Sequence, residues 1–523
     1  MKLEISKDKS KIILRNSSHE EFHQLKLHLT RKVSNYFFKK RHKMGLWDGT
    51  IDHFKNGIIR YGLWKEVYKC CKDHGYKFDV DKKSFPFDLD ITFDDIKQFS
   101  DKFYDGYRVE PTENNPDGIF LPYEHQINAI FNMMKYKFGI IEVATAGGKS
   151  LIFATFMFYI LRNINPNAKF LLIVPNTSLV TQFYDEIVDY NLGFNKEQKN
   201  PLTIKIEEIF SERPRKVRDG EEPNIYIGTY QSLVKYDEEF FKKFNVVVTD
   251  ESHSAKAKSL DTILTKTFGY ADYRLGLSGT YPDNNTAEYL TIQSLMGPKI
   301  ITVKAKELMD KGLVSPIKIN AMILNHNEKD FADRIHMIKK RGDGKKAYLL
   351  EKEYVQQSLR RKIFFRKLTE KFNNNSLILF HNIKYGKGLY EYLRDNIPNK
   401  FFYYIDGTTP KIKREKIKKI MEITGDGKPK ILIASFGTFS TGVNVKAIMN
   451  IVFADSFKSD QIIRQSIGRG LRLHKDKTKL VLFDITDKFH TSFNNILYNQ
   501  YIIRRDKIYA KQGFEVKELK IKI

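Results

Sequence analysis

Seven short apolar runs, each ending in small or polar residues, constrain the fold of this chain more than any other feature. KFGIIEVATAGGKS, KFLLIVPNTSLV and FNVVVTDESH form one group, and SLILFHN, KILIASFGTFSTG, NIVFADS and KLVLFDITD form a second. Short runs rich in Val and Ile, separated by longer stretches of helical character, are the pattern of parallel strands covered on both faces. Two groups therefore predict two α/β domains. In such folds ligands sit beyond the carboxyl ends of the strands, which is where VATAGGKS, DESH and SFGTFSTG fall.

Residues 1 to about 108 read differently. KIILRN is a strand, a helix is expected from about Glu20 to Tyr36, TIDHF and IIRYG flank an Asn56-Gly57 turn as a hairpin, and a further helix ends at Gly75. This is a small α+β domain, with Phe22, Leu25, Leu29 and Val33 at helical spacing as its core. The chain has two cysteines, Cys70 and Cys71, and their adjacency leaves neither a disulfide framework nor a zinc site. They are expected on a helix, with at least one in the core. No apolar run approaches the roughly 18 residues of a spanning helix, and MKLEISKDKSK lacks the apolar stretch of a signal peptide, so a cytoplasmic location without membrane contact is expected.

Charge points to a partner. The 89 Lys and Arg against 63 Asp and Glu give a net charge of +26, which favours a polyanion because basic side chains displace counterions from phosphates. Between Phe22 and Trp47 stand Lys26, Arg31, Lys32, Lys39, Lys40, Arg41 and Lys43 with no acidic residue, interleaved with Tyr36, Phe37 and Phe38. Basic residues beside aromatics suit phosphates together with an exposed base or junction; the plainer alternative is a solvated face.

VATAGGKS, residues 143–150, follows the phosphate-loop pattern G-x-x-x-x-G-K-[ST] except that Val143 stands at the first glycine. A nucleotide site also needs a Mg2+ ligand and a group to orient water, and Asp250 and Glu251 supply both at the end of the VVV run. Positive charge for the transition state is offered by Arg469 and Arg472 in QSIGRGLR. These three stretches in this order predict ATP hydrolysis.

VATAGGKS, DESH, LSGT and QSIGRGLR together resemble the superfamily 2 helicases and translocases, and with KKRHKMGLWDGTI and SFGTFSTGVNVK the chain is similar to the recombination and repair helicases of T-even phages. The resemblance implies two RecA-like parallel-sheet domains behind the small α+β domain, with boundaries at 1–108, 109–305 and 306–523 and ATP with Mg2+ between the two. It implies that Thr145, Ala146, Gly147 and Gly148 cradle phosphate, that Lys149 contacts the β and γ phosphates, and that Ser150 and Asp250 hold the metal. Glu251 is then the general base. His253, Ser278, Gly279 and Thr280 couple hydrolysis to domain movement, Gln465, Arg469 and Arg472 act from the second domain, and Gln126 reads the adenine. Pro175, Asn176, Thr177, Gly228, Thr229, Tyr230, Gln231, His381, Asn382, Ser440, Thr441 and Gly442 lie where such proteins grip a phosphodiester backbone, and Lys39, Lys40, Arg41 and Lys43 would bind duplex or branched DNA. Many relatives carry Asp where this chain has Asn444, which puts a nucleotide contact there in doubt. The reading is an ATP-dependent DNA helicase or translocase, a monomer in solution, that remodels branched DNA and RNA–DNA hybrids in the cytoplasm of a bacterial host. The alternatives are an RNA helicase or the motor subunit of a restriction complex.

Overall fold

The computed structural model of the chain describes all residues except 9, 35, 81–89, 110–115, 196–201, 211–221, 254–257, 426, 443–444, 458 and 491–494, and leaves undescribed the side chains of 38, 192–195, 411, 440–442 and 461. By its internal contacts the chain falls into two units, Met1–Val303 and Lys304–Ile523, a few residues around 112–114 and 145–147 aside.

The first unit opens with β1 (Lys2–Ile5), β2 (Lys11–Arg15), α1 (His19–His28), β3 (Thr30–Lys32), α2 (Lys40–Lys43), β4 (Thr50–Asp52), β5 (Phe54–Lys55), β6 (Ile58–Arg60), α3 (Trp64–Asp73) and β7 (Asp79–Val80). The sheet runs β5-β6-β2-β1-β7, and β3 pairs with β4 as a separate ribbon. Asn56 and Gly57, at φ 51° and 77°, turn β5 into β6, as the Asn-Gly signal requires. Ser18 and Glu21 cap α1 reciprocally, Ser18 Oγ accepting from the Glu21 amide at 3.2 Å and Glu21 Oε2 from the Ser18 amide at 2.7 Å. The helix expected to reach Tyr36 stops at His28, because Thr30–Lys32 pairs antiparallel with Thr50–Asp52. Leu25, Leu29 and Val33 are nevertheless all buried, and so are Cys70 and Cys71 on α3.

The rest of this unit contains α4 (Glu124–Tyr136), β8 (Phe138–Val143), α5 (Lys149–Tyr159), β9 (Phe170–Val174), α6 (Thr177–Asn195), β10 (Ile206–Ile209), β11 (Ile225–Thr229), β12 (Val246–Asp250), β13 (Tyr273–Ser278), α7 (Ala287–Met296) and β14 (Lys299–Val303). Its seven strands pair in the order β10-β11-β9-β12-β13-β8-β14, every pair parallel. β9 and β12 are buried at every position, which explains their unbroken apolar sequence.

The amino-terminal part and this sheet share a core. Phe138 and Leu290 belong to the same apolar cluster as Leu3, Ile12, Leu25, Leu63 and Val67. Gly62 lies so close to α7 that a β-carbon there would overlap the carbonyl oxygens of Gln293 and Ser294. Arg60 pairs with Asp261 at 2.6 Å, and the Ser34 amide donates to Glu288 at 3.0 Å. Arg274 is fully buried at the same junction, its guanidinium 3.5 Å from the centroid of Phe268 and 4.9 Å from that of Phe138.

The second unit carries β15 (Ile317–Asn325), α8 (Lys329–Lys340), α9 (Gly344–Gln357), β16 (Ser376–Phe380), α10 (Ile383–Asn396), β17 (Phe401–Ile405), β18 (Lys430–Ser435), β19 (Asn450–Phe453), α11 (Asp460–Gly470), β20 (Leu480–Lys488), α12 (Ile496–Ile503) and β21 (Val516–Lys522). Its seven strands are also all parallel, in the order β17-β18-β16-β19-β20-β15-β21. Two buried arginines are each matched by a carboxylate on β20, Arg504 by Asp484 at 2.7 Å and Arg361 by Asp487 at 3.0 Å. The architecture is thus two parallel α/β sheets with a small amino-terminal α+β part, as expected. Among the described residues no helix is long and apolar enough to cross a membrane.

Candidate nucleotide site and nucleic-acid face

Val143, at the missing first glycine, is the last residue of β8, fully buried and paired with Val303. Strand occupies that position, so the turn is made later: Ala146 and Gly148 adopt left-handed backbone at φ 73° and 80°, and α5 begins at Lys149. The first amides of α5 therefore face the loop without helical acceptors, an arrangement suited to phosphate. Lys149 Nζ lies 3.5 Å from the Val143 carbonyl. Gln126 is buried against this turn, its Oε1 accepting from the Tyr123 amide at 2.8 Å, and a β-carbon on Gly148 would overlap its amide group. The glycine at 148 is thus required by φ and by the close approach of Gln126.

β12 delivers the acidic pair. Asp250 ends the strand, and Glu251 follows in left-handed backbone at φ 50°, a strained position for a residue with a side chain. His253 Nδ1 stands 3.1 Å from Glu251 Oε2 and 2.8 Å from Ser278 Oγ at the end of β13. Ser278 Oγ in turn lies 3.2 Å from Glu251 Oε2 and accepts from the Thr280 amide at 3.2 Å. Burial and the neighbouring Glu251 push the Asp250 carboxyl well above the usual range. Burial also raises Glu251, but the His253 hydrogen bond and the Lys149 charge outweigh it and hold Glu251 low. Asp250 Oδ1 is buried without a protein partner. That orphaned oxygen and the Ser150 hydroxyl near the loop are hard donors that fit a divalent cation such as Mg2+. Tyr190 on α6 hydrogen-bonds Ser150, and Glu186, one turn earlier, lies within electrostatic reach of Asp250. Neither was singled out from the sequence, where nothing marks two positions of a long helix as neighbours of the loop.

In the second unit, α11 carries Gln465 and Arg469 one turn apart, with Arg472 just beyond its end. Gln465 is buried, and Arg469 Nη1 donates to the Phe439 carbonyl at 2.7 Å. Lys477 fixes this end of α11, donating to the carbonyls of Lys446 at 2.9 Å, Ile448 at 3.2 Å and Gly470 at 2.7 Å.

The candidate nucleic-acid residues fall at strand ends. Pro175, Asn176 and Thr177 follow β9, Gly228 to Gln231 close the neighbouring β11, and Gln231 Nε2 donates to the Pro175 carbonyl at 3.2 Å. Asn176 Oδ1 accepts from the Leu179 amide at 3.1 Å, and the buried Thr229 turns its hydroxyl to Ser232. His381 and Asn382 follow β16, and both amides donate to Asp455 Oδ2, at 2.7 and 3.2 Å. Asp455, in the quoted NIVFADS, was legible as an acid at a strand tip but was not singled out. Ser440, Thr441 and Gly442 end the helix Phe436–Gly442 beyond β18, while their side chains, and Asn444, lie outside the described residues.

Lys39, Lys40, Arg41 and Lys43 are all exposed on and beside α2. Lys39, Lys40, Arg41, Trp47 and Ile51 line a cavity of about 450 Å³, with Lys39 Nζ 5.6 Å from the Trp47 ring. Phe37, Met44 and Leu46, close by in sequence, are exposed as well. Exposed basic and apolar residues therefore alternate along this stretch.

Residues 119–283 match the family described as type III restriction enzyme, res subunit, and residues 354–474 match the helicase conserved C-terminal domain. The ATP-dependent DNA helicase UvsW of Enterobacteria phage T4 is 28% identical over 470 residues, covering 89% of this chain and 87% of that protein. Two solved structures share the fold. Dbp5 of Saccharomyces cerevisiae bound to RNA and ADP BeF3 superposes with a TM-score of 0.52 at 14% identity, covering 82% of this chain and 95% of that one. The ATP-dependent Type ISP restriction-modification enzyme LlaBIII bound to DNA gives 0.55 at 13%, covering 79% and 32%.

Proposed function

We propose that this chain, an ATP-hydrolysing, DNA-binding helicase that resembles the superfamily 2 enzymes, remodels branched DNA such as forks, junctions and R-loops during phage recombination, repair and replication. The observation that carries the reading is the exposed basic and aromatic surface around α2, built on a part of the chain that shares its core with the first sheet. A motor with only strand-end contacts grips a backbone; an added basic face with Trp47 and exposed apolar tips suits a place where duplex and separated strands meet.

The residues divide the chemistry as follows. The Thr145–Gly148 turn and Lys149 bind the phosphates of ATP, and Gln126 orients the base. Ser150 and Asp250 hold Mg2+, which when bound neutralises charge on the phosphate oxygens. Glu251, kept ionised by His253 and Lys149, accepts the proton of the attacking water. Arg469 and Arg472, with Gln465, supply positive charge to the transferring phosphoryl group. His253 and Ser278 carry the change at Glu251 to the end of β13, with Gly279 and Thr280 beside them. Pro175 to Thr177, Thr229 to Gln231, His381 with Asn382, and Ser440 to Gly442 then shift their grip along one strand. The protein acts as a monomer in the host cytoplasm.

The deciding experiment compares ATP hydrolysis with single-stranded DNA, RNA, blunt duplex and forked DNA at equal nucleotide concentration. Strongest stimulation at limiting fork is expected. Stimulation by RNA alone would replace this reading with an RNA helicase.

A further inference from the structure

Between β15 and β16 the chain inserts α8 and α9, two helices that pack on each other and are joined at Arg341-Gly342-Asp343. The join is strongly basic: Lys339, Lys340, Arg341, Lys345 and Lys346 surround a single acid, Asp343, and all six are exposed. One face of α9 is tied to the body. Ala347, Glu351 and Val355 are buried, and Glu351 accepts from the Ile496 amide at 2.8 Å and from the Leu497 amide and Asn495 Nδ2, each at 2.9 Å, closing the amino-terminal end of α12. A helix anchored by a buried carboxylate with three donors has its rotation fixed, so its outer face is fixed too.

That outer face is a stripe at helical spacing: Lys345, Leu349, Lys352 and Gln356. Its lower half forms one wall of a cavity of about 640 Å³, with Lys362 and Lys384 among the other lining residues and Asn382 beside them. The cavity adjoins the strand-end loop after β16, and Gln356 Nε2 approaches Asp455, the residue that receives the His381 and Asn382 amides, at 3.5 Å. Among the described residues Lys352, Lys362 and Lys384 form no ion pair. The one carboxylate in the lining, Glu353, accepts from Gln357 at 3.2 Å.

We propose that this groove, continued along α9 to the basic join, is a second binding track for a DNA phosphodiester backbone. It rests on the helicase reading and extends it, since the groove begins where the His381–Asn382 loop ends. Charge complementarity names the occupant: three ammonium groups with no carboxylate partner among the described residues, in a lining they share with the apolar Leu349, match a chain of phosphates better than any neutral ligand. The dimensions agree. From Gln356 to Lys345 the stripe runs roughly 16 Å along the helix axis, about five phosphate steps of one duplex strand. Contacts that these lysines make to phosphates carry no base sequence.

The test replaces Lys352, Lys362 and Lys384 together with Ala, and in a second protein with Arg, and follows binding of single-stranded and duplex DNA from low to high salt without nucleotide. The Ala protein is expected to bind at least tenfold more weakly at low salt, with a log–log salt slope shallower by about 2, since each phosphate left unneutralised lowers it by roughly 0.7 to 0.9. The Arg protein is expected to keep the parent slope, and DNA-independent ATP hydrolysis is expected to be unchanged in both. A parent that binds DNA while the folded Ala protein keeps its affinity and slope overturns the track alone. A parent with no salt-dependent DNA binding overturns the helicase reading along with it. Binding of polyglutamate in place of DNA, abolished in the Ala protein, would reassign the groove to an acidic protein partner.

Discussion

The Nδ1 of His253 lies 2.8 Å from the Oγ of Ser278, and the same hydroxyl is 3.2 Å from the carboxylate of Glu251. Three residues from two strand ends thus form one hydrogen-bonded unit, in which the group proposed to activate water touches the group that starts the loop after β13.

Ser278→Ala removes the shared hydroxyl and leaves the phosphate loop and the acidic pair in place. DNA-stimulated ATP hydrolysis is expected to stay within about tenfold of the parent, while strand separation per ATP consumed falls much further. Parallel measurement of phosphate release and fork unwinding checks this. Equal losses in both assays would assign the hydroxyl to hydrolysis itself.

Lys149→Ala and Glu251→Gln should both stop turnover, by different routes. Loss of the lysine removes a phosphate contact and weakens nucleotide binding. The Gln variant keeps nucleotide but lacks the acceptor for the water proton, so it should hold ATP and DNA together in a long-lived complex. Nucleotide titration with a fluorescent ATP, with and without single-stranded DNA, separates the two.

Replacing Lys39, Lys40, Arg41 and Lys43 together with Ala should weaken binding to forked or four-way DNA and flatten its salt dependence, by about 0.9 in log–log slope for each duplex phosphate that these side chains neutralise. Hydrolysis at saturating single-stranded DNA should remain near the parent value. A salt titration of fork binding, run beside the ATPase assay, is the check; unchanged affinity and slope would make these lysines an idle surface.

His53 gives the amino-terminal part a pH dependence. Its ring is held against α7, with Nε2 3.4 Å from Thr291 Oγ1, and burial first, then the Arg60 charge, bring it from 6.5 down to about 4, against smaller opposing effects of the Ala287 backbone and Asp52. The unfolded chain therefore takes up this proton at a higher pH than the folded one, and stability falls as the pH drops from about 6.5 to about 4. The loss totals roughly 3 kcal/mol at about 1.4 kcal/mol per pH unit. Thermal melts across that range should show the slope in the parent, and a smaller slope in His53→Gln.

The strands were legible because parallel strands buried on both faces leave no polar alternation to confuse: FLLIV and VVVTD read as what they are. The overrun of α1 has the opposite cause. Leu25, Leu29 and Val33 satisfy a helical period, yet the partner that draws Thr30–Lys32 into a ribbon lies about twenty residues later, beyond the reach of any local pattern. Around the nucleotide, Val143 looked like a defect of the loop and is a sheet residue. Asp250 and Glu251 were readable as acids at a strand tip, whereas Tyr190, Glu186 and Lys477 act through contacts that only the packed helices create. Gly62, Arg60 and Arg274 likewise look ordinary in sequence until α7 and β13 are packed beside them.

That close packing of Gly62 on α7 also sets an order of events during synthesis. The residues that form the amino-terminal core leave the ribosome well before Ala287–Met296 is made, and at about 5–20 residues per second the roughly 230 residues between Gly62 and Gln293 take on the order of ten to fifty seconds. Through nearly all of that interval Tyr61, Leu63 and Val67 lack Leu290 as a neighbour, and during its early part they lack Phe138 as well, so the nascent chain carries an open apolar face that only its own later segments can close. Messages shortened before the codons for α7 should therefore yield aggregating or chaperone-held products, even though they encode every residue of the basic surface.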